Sequence, residues 1–163
     1  MRTILSVLVL AGLAWRADGG DGLLKGIKEV SVQVAEFYPD IEKDGLHADD
    51  VRTDVELRFR EAGLRVVPLN ELAKILSAPT FYVMVNSVQD TEPRFYAYTA
   101  EAGLMESMVP LRIPVDEKPW RVRSWGITGV GMARAHLVAS IIRTEIRRYA
   151  EKFLNDWLAD NGK

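Results

Sequence analysis

The 163-residue chain contains no cysteine. That excludes disulfides, thiolate metal sites, a CxxC redox pair and a cysteine nucleophile, and it removes the residue that a bacterial lipobox acylates. Histidine is almost as scarce. His47 and His136 are the only two, with no HxxxH or HExxH spacing, so no metal site is expected. Neither sign of charge dominates: 21 lysines and arginines stand against 23 aspartates and glutamates, a net charge of −2. The positive excess of a nucleic-acid binder is missing, and no nucleic-acid partner is expected. There is also no Gly-x-Ser-x-Gly elbow and no GxGxxG or GxxxxGK[ST] phosphate loop. No catalytic residue or cofactor is assigned.

What the chain does have is one long apolar run at its start. Met1-Arg2-Thr3 precedes Ile4 to Trp15, which only Ser6 and Gly12 interrupt. A stretch of this length fits the roughly 7–15 residues of a secretory h-region and falls short of the ~20 needed to span a bilayer. Small residues in Ala17-Asp18-Gly19 suit cleavage before Gly20, and Gly12-Leu13-Ala14 is a competing site. Residues 1–19 are therefore read as a signal peptide that directs the chain to the periplasm or beyond, soluble and without a lipid anchor. If residues 4–15 are retained, they become a tail able to dock into a membrane complex.

Residues 20–26, rich in glycine, read as a flexible leader, and 27–163 as a single domain. A chain of this size buries roughly 70% of its unfolded surface and needs no staples. Val30, Val32 and Val34 alternate with polar neighbours in a strand over 28–37, after which Tyr38-Pro39-Asp40 opens an acidic loop. Val51, Val55, Phe59 and Ala62 recur at helical spacing over 48–62, and Gly63 supplies the stop. A short strand over 64–67 and a short helix over 70–76 follow. Extended segments are expected at 81–88, 95–102, 104–115 and 120–125, with 104–115 at an edge because it holds two prolines. The last element is the strongest helix, over 132–160, with a wide apolar stripe from Leu137 to Leu158. The fold class is α+β: two layers, a mostly antiparallel sheet with the helices at 48–62 and 132–160 on one face.

Charge is unevenly placed. Glu36 to Glu56 holds eight acidic residues against Lys43 and Arg52, and Lys118 to Lys152 holds eight basic residues against Glu145 and Glu151. Two solvated helix faces of opposite sign account for this, and so does a polar molecule that associates head to tail or docks an acidic partner.

Several stretches form a recognisable pattern: Thr53 to Leu64, Pro79-Thr80-Phe81-Tyr82-Val83, Phe95-Tyr96-Ala97-Tyr98, Ser124-Trp125-Gly126, and Phe153-Leu154-Asn155-Asp156-Trp157-Leu158 near the end. Together they resemble a family of small exported bacterial proteins of unknown function. Trp157 and Gly162 stand where that family has tyrosine and proline, and the loop after Trp125 lacks its serines and threonines. The family has no assigned active site, so the resemblance implies export and no residue role. The order of elements also resembles the amino-terminal domain of the TolB translocation protein and the CsgG-like periplasmic modules, which implies assembly or docking rather than catalysis.

Three functional readings follow. The first is an exported, non-enzymatic binding or assembly module that meets a protein partner or a second copy through Tyr96, Tyr98, Trp120, Arg121, Arg123 and Trp125, if these share the sheet face away from the helices. The second is an anion or small-molecule carrier using a loop at Gly126–Gly131, with Gly126, Gly129, Gly131 and Arg134 around the anion. The third is a small hydrolase built on Asp50 and Asp54, which lie at i, i+4 on one helix face.

Overall fold

The computed structural model describes residues 22–68, 78–90, 95–108 and 120–162. Its elements are β1 (Glu29–Val34), α1 (Pro39–Lys43), α2 (Ala48–Glu61), β2 (Arg65–Val66), β3 (Thr80–Asp90), β4 (Phe95–Met108), β5 (Trp120–Arg134) and α3 (Ala135–Asp160). The strands form one sheet in the order β2-β1-β3-β4-β5. β3, β4 and β5 are antiparallel neighbours, while β1 runs parallel to both β2 and β3. This is the expected two-layer α+β domain. A parallel pair at one side follows from the α1–α2 crossover, since parallel strands cannot be joined by a hairpin.

The core lies between the sheet and the helices. Alternation puts Val30 and Val32, Phe81, Val83 and Val85, and Ala100, Ala102 and Leu104 on the inner face, all buried. α2 contributes Val51, Val55 and Phe59 at spacings of four residues, so they line one face. α3 contributes Val138, Ile142, Ile146, Tyr149, Phe153 and Trp157 by the same periodicity. The centre is aromatic. Phe153 packs against Phe59, Phe81 and Trp125 with ring centroids 5.1–5.3 Å apart. One polar pair is buried in the sheet, where Ser31 Oγ donates to Thr80 Oγ1 at 3.0 Å across the β1–β3 register.

Charges join the two main helices. Asp54 accepts from Arg143 Nη2 at 2.8 Å and Arg147 Nη2 at 2.9 Å, and Arg58 reaches Glu151 at 2.6 Å. Burial alone would raise the Asp54 carboxyl, but the hydrogen bonds and charges of the two arginines outweigh it and hold it below its ordinary value.

Four details differ from the sequence reading. The expected strands 95–102 and 104–115 are one strand, β4, through Met108, because Gly103 continues the ladder opposite Tyr82 and Gly126. β5 runs on to Arg134, so α3 starts at Ala135 rather than 132, and β5 is an end strand with β4 inside it; residues 109–115 of the expected edge segment lie outside the described residues. The acidic loop contains the single-turn helix α1, which Pro39 opens with its pre-set φ. The leader is pinned where it is described. Asp160 accepts from the Gly22 and Leu24 amides at 3.0 and 2.8 Å, Asn161 accepts from Gly26, and Leu24 is buried. The short helix expected over 70–76 lies outside the described residues.

Candidate functional site: the open face of the sheet

Both main helices cover the same face, so among the described residues the opposite face of β3, β4 and β5 carries no helix, and register assigns its residues to rows. Val88, Ala97 and Met132 form one row across the three strands. Asn86, Thr99 and Val130 form the next, and Met84, Glu101 and Thr128 the one after. Val88, Val130 and Met132 are 74, 63 and 71% exposed. Large apolar side chains that exposed are unremarkable singly, but here three sit in adjacent rows of one sheet face. At the end of this surface Arg134 lies over the Phe95 ring, 5.6 Å from its centroid.

Further along, the face becomes polar. Gly103 and Gly126 oppose each other, and a Cβ on Gly103 would come within 2.6 Å of the Tyr82 ring and 3.0 Å of the Arg123 side chain. The missing side chains leave a trough in which the Arg123 stem lies. Its guanidinium donates to Glu101 and, at 3.2 Å, to the Tyr82 hydroxyl, which itself donates to Glu101. Burial and the neighbouring Glu101 push the Tyr82 phenol up, against the opposing pull of Arg123. Tyr82, Glu101 and Arg123 thus hold one another in place.

The six residues expected to meet a partner divide. Trp120, Arg121 and Arg123 are exposed. Tyr96, Tyr98 and Trp125 are buried under the helices, 1, 5 and 4% exposed, and this corrects the expectation that they share an outer face. Parity is the reason. Even-numbered residues of β4 through Leu104 point inward, so Tyr96 and Tyr98 join Ala100 and Ala102. In β5 an extra residue at Ser124 shifts the register between Leu104 and Met105, which separates the facing of Trp125 from that of Arg123. Each buried aromatic also has a polar partner. Trp125 Nε1 donates to Asp156 at 3.0 Å, Tyr98 to Glu145 at 3.0 Å, and Tyr96 lies 2.7 Å from Asp44 Oδ2. Tyr149 also donates to Glu145, and burial reinforced by that carboxylate pushes both the Tyr98 and Tyr149 phenols well up.

Gly126, Gly129 and Gly131 do not form a loop. They are consecutive parts of β5, paired with Gly103, Ala100 and Tyr98, so the expected cradle between strand and helix is absent from this segment. Their bareness serves packing: a Cβ on Gly131 would meet the Tyr98 ring at 2.5 Å, and one on Gly129 would collide with Tyr149 and Glu145. Arg134 sits at the strand end, on Phe95. Asp54 is engaged by two arginines, and Asp50 lies 3.7 Å from Arg143. His47 precedes α2 and His136 lies in the first turn of α3, both exposed.

A shallow cleft opens between α1 and the end of β3, lined by Tyr38, Pro39, Asp40, Ser87, Val88, Gln89 and Tyr96. Gln89 donates to the Tyr96 hydroxyl at its floor at 2.9 Å. Val88 joins this cleft to the exposed row.

Sequence reading missed Val88, Ala97, Val130 and Met132. The signal was present, since Thr128, Val130 and Met132 alternate with Ile127, Gly129 and Gly131, but the glycines drew the segment toward a loop.

No protein-family model and no curated protein matches the chain. Among solved structures, it is similar to a leucine-to-methionine variant of the PelC dodecamer from Paraburkholderia phytofirmans. The identity is 12%, covering 75% of this chain and 84% of that one, with a TM-score of 0.47. A second PelC dodecamer structure from that organism gives 13% identity, 82% and 88% coverage and a TM-score of 0.40. A minor lipoprotein from Acinetobacter baumannii gives 10% identity, 79% and 91% coverage and a TM-score of 0.37. These likenesses are too slight to bear on function. Among the described residues no helix is long and apolar enough to cross a membrane.

Proposed function

We propose that this chain is a non-enzymatic binding or assembly module of the bacterial cell envelope, which meets a protein partner through the open face of its sheet. The carrying observation is the exposed apolar surface of Val88, Ala97, Val130 and Met132, set by register on the face that neither α2 nor α3 covers. Exposed apolar side chains gathered on one sheet face mark an interaction surface. The basic, apolar and small-residue order of residues 1–19 supports export. The non-enzymatic part is supported by the carboxylates at Asp54 and Glu145, which are committed to arginines and tyrosines rather than aimed into a cleft.

The test is native mass spectrometry of the protein isolated from its own cell envelope, with Val130→Arg beside the unaltered chain. The unaltered chain is expected in a complex that the variant loses while remaining folded. The same complex in both would overturn the reading.

A further inference from the structure

We infer that the outer edge of β5 is a strand-addition site for an extended, acidic segment of another protein. This rests on the proposal that the sheet is the binding surface, and it names the edge and the chemistry of the partner.

β5 is the end strand of the sheet, and all of its 15 residues but Ser124 pair on one side with β4. Among the described residues no strand lies beyond it. A strand in that position presents a row of unpaired amides and carbonyls, which proteins normally blunt with charge, proline or brevity. The stretch Gly126-Ile127-Thr128-Gly129-Val130-Gly131-Met132-Ala133 has no charged residue and no proline, and its one irregularity, at Ser124, precedes it. Apolar side chains of β5 and of the helix that follows it are exposed. Val130 and Met132 are exposed on the open face, and Leu137 and Ile141 of the adjoining α3 are 44 and 37% exposed.

Charge selects the occupant. β5 contains three arginines and neither aspartate nor glutamate. Arg123 is met by Glu101, but Arg121 and Arg134, at the two ends, have no carboxylate partner among the described residues. The two are thirteen residues apart, roughly 40 Å along an extended strand. An incoming segment of about twelve residues with carboxylates at its ends and apolar residues at alternate positions matches that layout. A second copy of β5 would bring arginines against arginines. The acidic stretch of this chain, Glu36 to Glu56, lies mainly in α1 and α2 and so does not supply a strand.

The experiment uses the full chain and two synthetic twelve-residue peptides. Both have alternating valine and threonine at the centre; one ends in aspartate and glutamate at each terminus, the other in lysine. Amide hydrogen exchange read by mass spectrometry, with calorimetric titration, follows binding. The acidic peptide is expected to slow exchange across residues 125–133 and to bind at least about tenfold more tightly than the basic one at low salt. The double variant Arg121→Glu, Arg134→Glu is expected to reverse that preference. Equal binding of both peptides, no protection of β5, or a dimer whose β5 amides are already protected without peptide would each overturn the inference. If β5 stays unprotected while Val130→Arg still disrupts the envelope complex, the edge fails and the open-face reading stands.

Discussion

Replacing Trp125 by alanine separates a core residue from a binding residue more sharply than any other single change. The indole is 4% exposed, its ring lies 5.2 Å from that of Phe153 and 6.2 Å from that of Phe81, and its Nε1 donates to Asp156 at 3.0 Å. Truncating a buried tryptophan in such surroundings costs about 3–5 kcal/mol, transfer and cavity together. Asp156 adds little to that cost, since Lys152 contacts both of its carboxylate oxygens at 2.6 Å and continues to satisfy it. Trp125→Phe keeps an aromatic ring against Phe153 and loses the hydrogen bond and some volume, so it is expected to cost about 1–2 kcal/mol. Urea unfolding followed by far-ultraviolet circular dichroism measures both, and the midpoint should fall with little change in slope. A Trp125→Ala chain that unfolds within about 1 kcal/mol of the original would refute the burial argument.

The remaining predictions rest on separate contacts. Gly131→Ala sets a methyl group against the Tyr98 ring, whose hydroxyl is tied to Glu145, so thermal unfolding should register a loss of roughly 1–3 kcal/mol. Asp54→Asn removes the carboxylate shared by Arg143 and Arg147 and should cost roughly 1–2 kcal/mol at pH 7. The folded Asp54 carboxyl is held below its ordinary value, so its contribution is present above the usual carboxylate range near ~4 and is lost as pH falls through the folded value. Stability curves of Asp54→Asn and the unaltered chain should therefore converge in acid, and a constant gap down to pH 2 would contradict the pairing.

The layers of the fold were legible because periodicity reports burial directly. Val51, Val55 and Phe59 mark α2, and the stripe from Val138 to Trp157 marks α3. Element boundaries in β4 and β5 were not legible, because Gly103, Gly126, Gly129 and Gly131 read locally as breaks. Their real role appears only in the fold: Gly103, Gly129 and Gly131 leave room for side chains of other elements, and Gly126 for the stem of Arg123 across the bulge of its own strand. The facing of the aromatics failed for a related reason. A single extra residue at Ser124 inverts the parity of β5, so Trp125 and Arg123 cannot be assigned to faces by simple alternation. Arg121, Arg123 and Trp120 lie on the surface, while the apolar patch escaped notice because valine and methionine in a strand look like core.

The central claim is that the open face is covered in the cell, and the most direct measurement is oxidative footprinting of methionine. Met132, 71% exposed in the patch, and Met108, 47% exposed at the far end of β4, report on the two ends of the same sheet. Both should oxidise readily in the purified chain. In intact envelopes Met132 is expected to be protected several-fold relative to Met108. Equal oxidation of the two, in envelopes as in solution, would contradict the account.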